Sequence, residues 1–199
     1  MELRHEVGCF LSMRLFTTVA IWLTITFIYQ GYGQQYLVGL HTVWDDSFRE
    51  WTVVAAVDDS TIVEGDMDIT WGLENDFTSY DFRLGELSGD IKQVFPKDPK
   101  NWQLRLGNEL VSIRQTWPSD PREWKVSMGD IQFTIRTRYR DSYDEWQLAN
   151  DRYGEFNLYS DIPADIRDWI IEDYLDPTVP MAMRLAALFV VVHVATPKQ

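Results

Sequence analysis

The chain spells NWQLRLGNELVSIRQTW at residues 101–117, EWKVSMGDIQFTIRTRY at 123–139 and EWQLANDRYGEFNLYS at 145–160, three versions of one phrase. Trp102, Trp124 and Trp146 recur at an interval of 22 residues, and Gly85, Gly107, Gly129 and Asp151 keep the same interval. The register continues both ways: Tyr80 lies 22 before Trp102, and Trp169 lies 23 after Trp146, a one-residue insertion. Side chains of a strand alternate between two faces, so only a period of two makes one face apolar. Trp102, Leu104 and Leu106 alternate with Gln103 and Arg105, Gly107-Asn108 offers a turn, and Val111 and Ile113 alternate with Ser112 and Arg114. The next copy repeats this with Trp124, Val126 and Met128 before Gly129-Asp130, and with Ile131, Phe133 and Ile135 after it. Each unit is predicted to be a β-hairpin with one dry face.

Between hairpins, an aromatic or apolar residue precedes the tryptophan by seven positions: Trp44 and Trp51, Phe95 and Trp102, Trp117 and Trp124, Tyr139 and Trp146, Ile162 and Trp169. The intervening DDSFRE, PKDPKN, PSDPRE, RDSYDE and PADIRD are turn formers and charges. About twelve strands in residues 36–174 follow, joined as a meander. So long a sheet rarely stays open and flat, and closure removes its unpaired edges. The expected fold is a mainly β, closed antiparallel barrel of about twelve strands. A propeller blade takes about 40–45 residues, so these repeats would make only about three blades. A lipocalin-like barrel would leave its cavity open and any helix outside.

The end of the chain supplies a filling. MAMRLAALFVVVHVA (181–195) is apolar on every side except for Arg184 and His193, and Pro177 and Pro180 precede it. A membrane span needs ~20 apolar residues, and a helix apolar all round is otherwise a buried one. A central helix over 179–195 is expected, with a C-terminal anchor as the alternative. Nine Trp, nine Tyr and ten Phe are large enough side chains to seal a wide barrel against it.

Hairpins that open with an aromatic, a D/P-rich turn, a second aromatic seven positions on, then a Gly-centred turn, followed by an Ala/Leu/Val-rich C-terminal helix, resemble the LURP-one-related proteins. Their domain is similar to the tubby C-terminal domain and the phospholipid scramblases. The resemblance covers Tyr36 to Val194 and implies a twelve-stranded barrel threaded by a hydrophobic helix. It also implies a non-catalytic protein that binds a lipid, a membrane surface or a protein partner, since tubby domains bind phosphoinositides through basic residues on the barrel.

Residues 1–35 stand apart from that barrel. LFTTVAIWLTITFIY (15–29) is an uncharged apolar run after Arg14, with Gly31 and Gly33 beyond it. This fits a secretory signal cleaved near Gly33, with translation starting at Met1 or Met13, and so an exported, periplasmic or extracellular barrel. An uncleaved signal anchor, which would leave the barrel membrane-attached, is the second reading, and an extension of the first strand the third. Cleavage would remove the lone Cys9 and leave no thiol. Export would depart from the resembling families, which usually act inside cells.

The net charge of −13 is unchanged without residues 1–33, because Glu2 and Glu6 cancel Arg4 and Arg14. Such a surface repels nucleic acid and anionic lipid unless positive charge is locally concentrated. The best concentration is Arg136, Arg138 and Arg140 on alternate positions, with Arg114 at the equivalent place one hairpin earlier. Together they form a candidate anionic-lipid or partner-binding stripe, against the reading that they simply pair with neighbouring acids.

No catalytic, cofactor or metal site is assigned. Of three histidines, His5 precedes the apolar run, His41 lies on the first strand and His193 on the helix, and no G-x-S-x-G elbow is present. Carboxylates at Asp45-Asp46, Asp58-Asp59, Asp98, Asp120, Asp141, Asp144 and Asp165 read as turn formers without the D-x-D-x-D-G rhythm of a calcium loop. Arg184 is expected to reach a barrel mouth or a buried acid. The alternative function is a hydrolase or small-ligand carrier whose pocket within the barrel is lined by convergent carboxylates or His41.

Overall fold

Alternating apolar positions make twelve antiparallel strands, each hydrogen-bonded to its neighbours in sequence: β1 (Tyr36–Trp44), β2 (Ser47–Ala56), β3 (Ile62–Ile69), β4 (Ser79–Leu84), β5 (Leu87–Gln93), β6 (Asn101–Leu106), β7 (Glu109–Trp117), β8 (Asp120–Met128), β9 (Ile131–Thr137), β10 (Glu145–Leu148), β11 (Gly154–Ser160) and β12 (Asp168–Leu175). The sheet closes where β1 meets β12 at Gly39↔Ile170, Leu40↔Trp169 and His41↔Asp168. This computed structural model describes residues 35–58, 60–70, 77–150 and 152–197. The readings of residues 1–33 as signal or anchor lie outside the described residues.

The two ends of the barrel differ in chemistry. At one, the turn rim, Gly85, Gly107 and Gly129 have φ of 58°, 56° and 55° and join Leu84↔Leu87, Leu106↔Glu109 and Met128↔Ile131. A positive φ at the first of two turn residues is the type II′ arrangement, whose twist suits a hairpin. The third copy departs from it: β10 is only four residues long, and residues 149–153 connect it to β11.

At the other end, the corner rim, each tryptophan builds the same corner. The indole N–H of Trp51, Trp102, Trp124, Trp146 and Trp169 donates to the carbonyl three residues earlier, at 2.7–3.0 Å. Four residues before each tryptophan, the side chain of Ser47, Asp98, Asp120, Ser142 or Asp165 accepts a bond from the backbone N–H two residues on. The indole body is thereby buried in the core while its one polar group is satisfied locally. The turn-former reading of these segments is refined: a capping Asp or Ser recurs at a fixed place in all five.

The helix α1 (Met181–Ala195) enters from the turn rim after β12 and ends at the corner rim, where the His193 imidazole donates through Nε2 to the Pro99 carbonyl at 3.2 Å. Pro180 sits in extended backbone at its start, so the helix begins two residues later than expected. Every residue from Ala182 to His193 is buried, and the helix shares one core with the inward side chains of all twelve strands. Phe189 lies edge-on to Trp102 and Tyr80, with ring centroids 4.9 and 5.3 Å away. Full burial of a Leu, Val or Phe side chain is worth about 1.5–3 kcal/mol, so the helix and the barrel lining stabilise each other. Among the described residues no helix is long and apolar enough to cross a membrane.

Candidate functional site

The interior is occupied, and its polar groups serve each other. On β12, Trp169, Ile171, Asp173 and Leu175 all point inward, and the Asp173 carboxylate meets Arg184 of α1 with both side chains almost wholly buried. Arg184 Nη1 donates to Asp173 Oδ1, Nε to the Val179 carbonyl at 3.1 Å, and Nη2 to the carbonyls of Leu175 and Asp176 at 3.3 and 3.0 Å. Asp173 also accepts from the backbone N–H of Leu37 at 3.0 Å. One buried pair thus ties the first strand, the last strand and the helix together, in line with the expectation of a buried acid for Arg184. His41 does not line the interior: Leu40 points inward beside it, and His41 lies opposite Thr52 and Asp168 on the outer wall.

The predicted arginine stripe is exposed along its whole length. β9 ends at Thr137, so Arg136 stands on the outer wall while Arg138 and Arg140 belong to the corner rim. With Trp117, Tyr139 and Arg122 they line a groove of about 510 Å³. Arg114 is not part of it: it lies on β7 opposite Lys125, whereas Arg136 lies opposite Glu123. Arg122, which the strand alternation did not mark, grips Asp120 through Nε and Nη2 at 2.7 and 2.6 Å and donates through Nη1 to the Arg140 carbonyl. Its hydrogen bonds hold the Asp120 carboxyl below the usual range. Arg138 is 3.3 Å from Glu145 and lies over the Tyr139 ring at 5.8 Å. Part of the positive charge is therefore paired, but ion pairs at exposed sites are weak and screened by solvent.

The carboxylates divide into two groups. Asp98, Asp120 and Asp165 cap backbone at the corners, and Arg167 lowers the Asp165 carboxyl to about 2; Asp58 caps Ser60 at the opposite rim, and Asp59 lies outside the described residues. On the outer wall of β2 to β5, Glu50, Asp68, Asp81 and Asp90 stand directly opposite one another in a row across four strands. Partial burial, reinforced by the Asp66 and Glu50 charges, pushes the Asp68 carboxyl up to about 6. Among the described residues no three His, Cys, Asp or Glu side chains are grouped to hold a metal ion.

The residues seven before each tryptophan form a second surface feature. Trp44, Phe95, Trp117, Tyr139 and Ile162 are 50–62% exposed. They sit at the corner-rim ends of β1, β5, β7, β9 and β11; the equivalent place after β3, Leu73, lies outside the described residues.

Compared with known proteins, the chain matches no family model, no curated protein and no solved structure.

Proposed function

We propose that this chain is a non-catalytic barrel of the LURP-one-related and tubby-like kind, which works by binding a lipid, a membrane surface or a protein partner on its outside. The observation that carries this reading is that α1 fills the lumen, leaving the outer wall and the rims to meet a ligand. The groove of Arg122, Arg136, Arg138 and Arg140, flanked by Trp117 and Tyr139, suits a phosphate-bearing group: guanidinium forks bind phosphate bidentately, and the aromatic rings shield the contact from water. In this reading residues 1–33 export the barrel or anchor it, and N-terminal sequencing of the mature protein distinguishes the two.

The test compares binding of the full chain to vesicles with and without anionic lipid. Each arginine near an anionic surface is worth about 1 kcal/mol, so replacing Arg136, Arg138 and Arg140 by serine together is expected to lower the anionic-to-neutral binding ratio at least about tenfold. An unchanged ratio would remove the groove as an anion site.

The second reading, a small-ligand carrier or hydrolase, draws on a cleft of about 480 Å³ at the end of α1 lined by Lys100, Gln115, Trp124 and His193. A small molecule that raises the melting temperature of the wild type, but not of His193→Gln, would favour it.

A further inference from the structure

We infer that the corner rim is a lipid-facing end, on which Trp44, Phe95, Trp117, Tyr139 and Ile162 enter the interfacial layer of an uncharged bilayer surface. The inference rests on the reading of the barrel as a binding module but not on the arginine groove.

These residues hold one place in the repeat, at the corner-rim ends of β1, β5, β7, β9 and β11, so closure of the barrel distributes them around that rim. Across β6 to β9 the outer wall below them is polar, with Gln103, Ser112, Ser127 and Gln132 facing outward in one row; the exposed Ile62, Leu110 and Tyr174 lie singly toward the turn rim. A single exposed apolar side chain is ordinary, but five that recur at one place of a repeat and at one end of the barrel mark a contact surface. A protein partner concentrates its contacts at the centre of an interface, in a cluster ringed by neutral residues. Here the apolar groups are on the circumference, separated by charged corners, and a surface that reaches all of them at once must be broad and flat. A bilayer is, and Trp, Tyr and Phe beside polar groups are the side chains that favour its interfacial layer.

Charge selects among flat partners. Acidic side chains outnumber basic ones in the five corner segments, so a second copy presenting the same rim meets like charge, as does an anionic membrane away from the arginine sector. A zwitterionic surface carries no such penalty.

The test uses the full chain with Cys9→Ser and one introduced cysteine carrying a polarity-sensitive dye. Positions 95 and 162 report the corner rim, as Phe95→Cys and Ile162→Cys; positions 62 and 174 report the turn rim, as Ile62→Cys and Tyr174→Cys, both exposed in the native chain. With phosphatidylcholine vesicles, the emission at 95 and 162 is expected to shift to the blue and rise severalfold, in low salt and in 0.5 M NaCl alike, with 62 and 174 unchanged. No shift at the corner rim, or equal shifts at both rims, overturns the inference. So does a shift without lipid that grows with protein concentration, which would make the rim a contact between copies. A shift that requires anionic lipid and vanishes in salt also overturns it, while leaving the arginine groove in place.

Discussion

At the scale of single residues, the barrel combines two ways of burying polarity. The five corner tryptophans each bury a large ring and return its N–H to the adjacent backbone, so each is locally self-sufficient. Arg184 and Asp173 depend instead on each other across two elements. Removing one member of a buried pair leaves an uncompensated charge, at about 3–5 kcal/mol. Arg184→Met is therefore expected to lower the urea midpoint severely, followed by near-ultraviolet tryptophan dichroism. Arg184→Met with Asp173→Leu should recover much of that loss, though not the bond from Leu37. If the double variant is no better than the single one, the charge is not what makes the site costly to break.

At the scale of elements, the hairpins tolerate change at the turn rim and resist it where strands approach closely. A Cβ at Gly107 meets nothing within 4 Å, so Gly107→Ala should cost only the strain of a positive φ at the first place of a type II′ turn, about 1–3 kcal/mol. A Cβ at Gly89 would lie 2.0 Å from the Arg105 carbonyl oxygen and 2.6 Å from the Phe82 ring, so Gly89→Ala should be the far more damaging of the two by thermal unfolding. The row Glu50, Asp68, Asp81, Asp90 carries a pH signature. Folded Asp68 keeps its proton to about 6, against 3.8 ordinarily, so between those values the folded state binds more protons and stability falls as pH rises. Lowering the pH from 7 to about 5 should raise the stability of the wild type relative to Asp68→Asn, whose own profile lacks this contribution; parallel profiles would count against it. For α1, deletion of residues 178–199 exposes the lining it covers, and an aggregated or unfolded product is expected. A truncated chain with native tryptophan dichroism would mean the barrel stands without its filling.

At the scale of the whole molecule, charge and shape act together. A net charge of −13 makes the folded chain repel itself. Moderate NaCl screens this and is expected to raise the melting temperature, whereas a fold held mainly by surface ion pairs would lose stability. β1 and β12 close the barrel through three paired positions, the bond from the Thr42 N–H to the Arg167 carbonyl and the bond from the Leu37 N–H to the Asp173 carboxylate. The two ends of the tube are then chemically distinct: glycine turns at one, and aromatic-bearing corners at the other.

The number of strands, their order and the buried helix were legible in the chain because they follow from local periodicity: alternation within Trp102–Leu106 and Ile131–Ile135, a 22-residue interval between copies, and a C-terminal segment with no polar face. Arg136 and Arg138 were legible by the same alternation; Arg122, which completes their groove, was not, because it lies at a corner where alternation stops. Other features needed partners distant in sequence. Nothing local distinguishes Asp173 from any other acid of an alternating strand until Arg184 of the helix is placed against it. Glu50, Asp68, Asp81 and Asp90 become a row only when register across four strands is set, and five exposed apolar residues come to share one rim only when the sheet closes. Periodicity is written along the chain, whereas register, closure and the pairing of buried charges are relations between segments, and those only the tertiary structure decided.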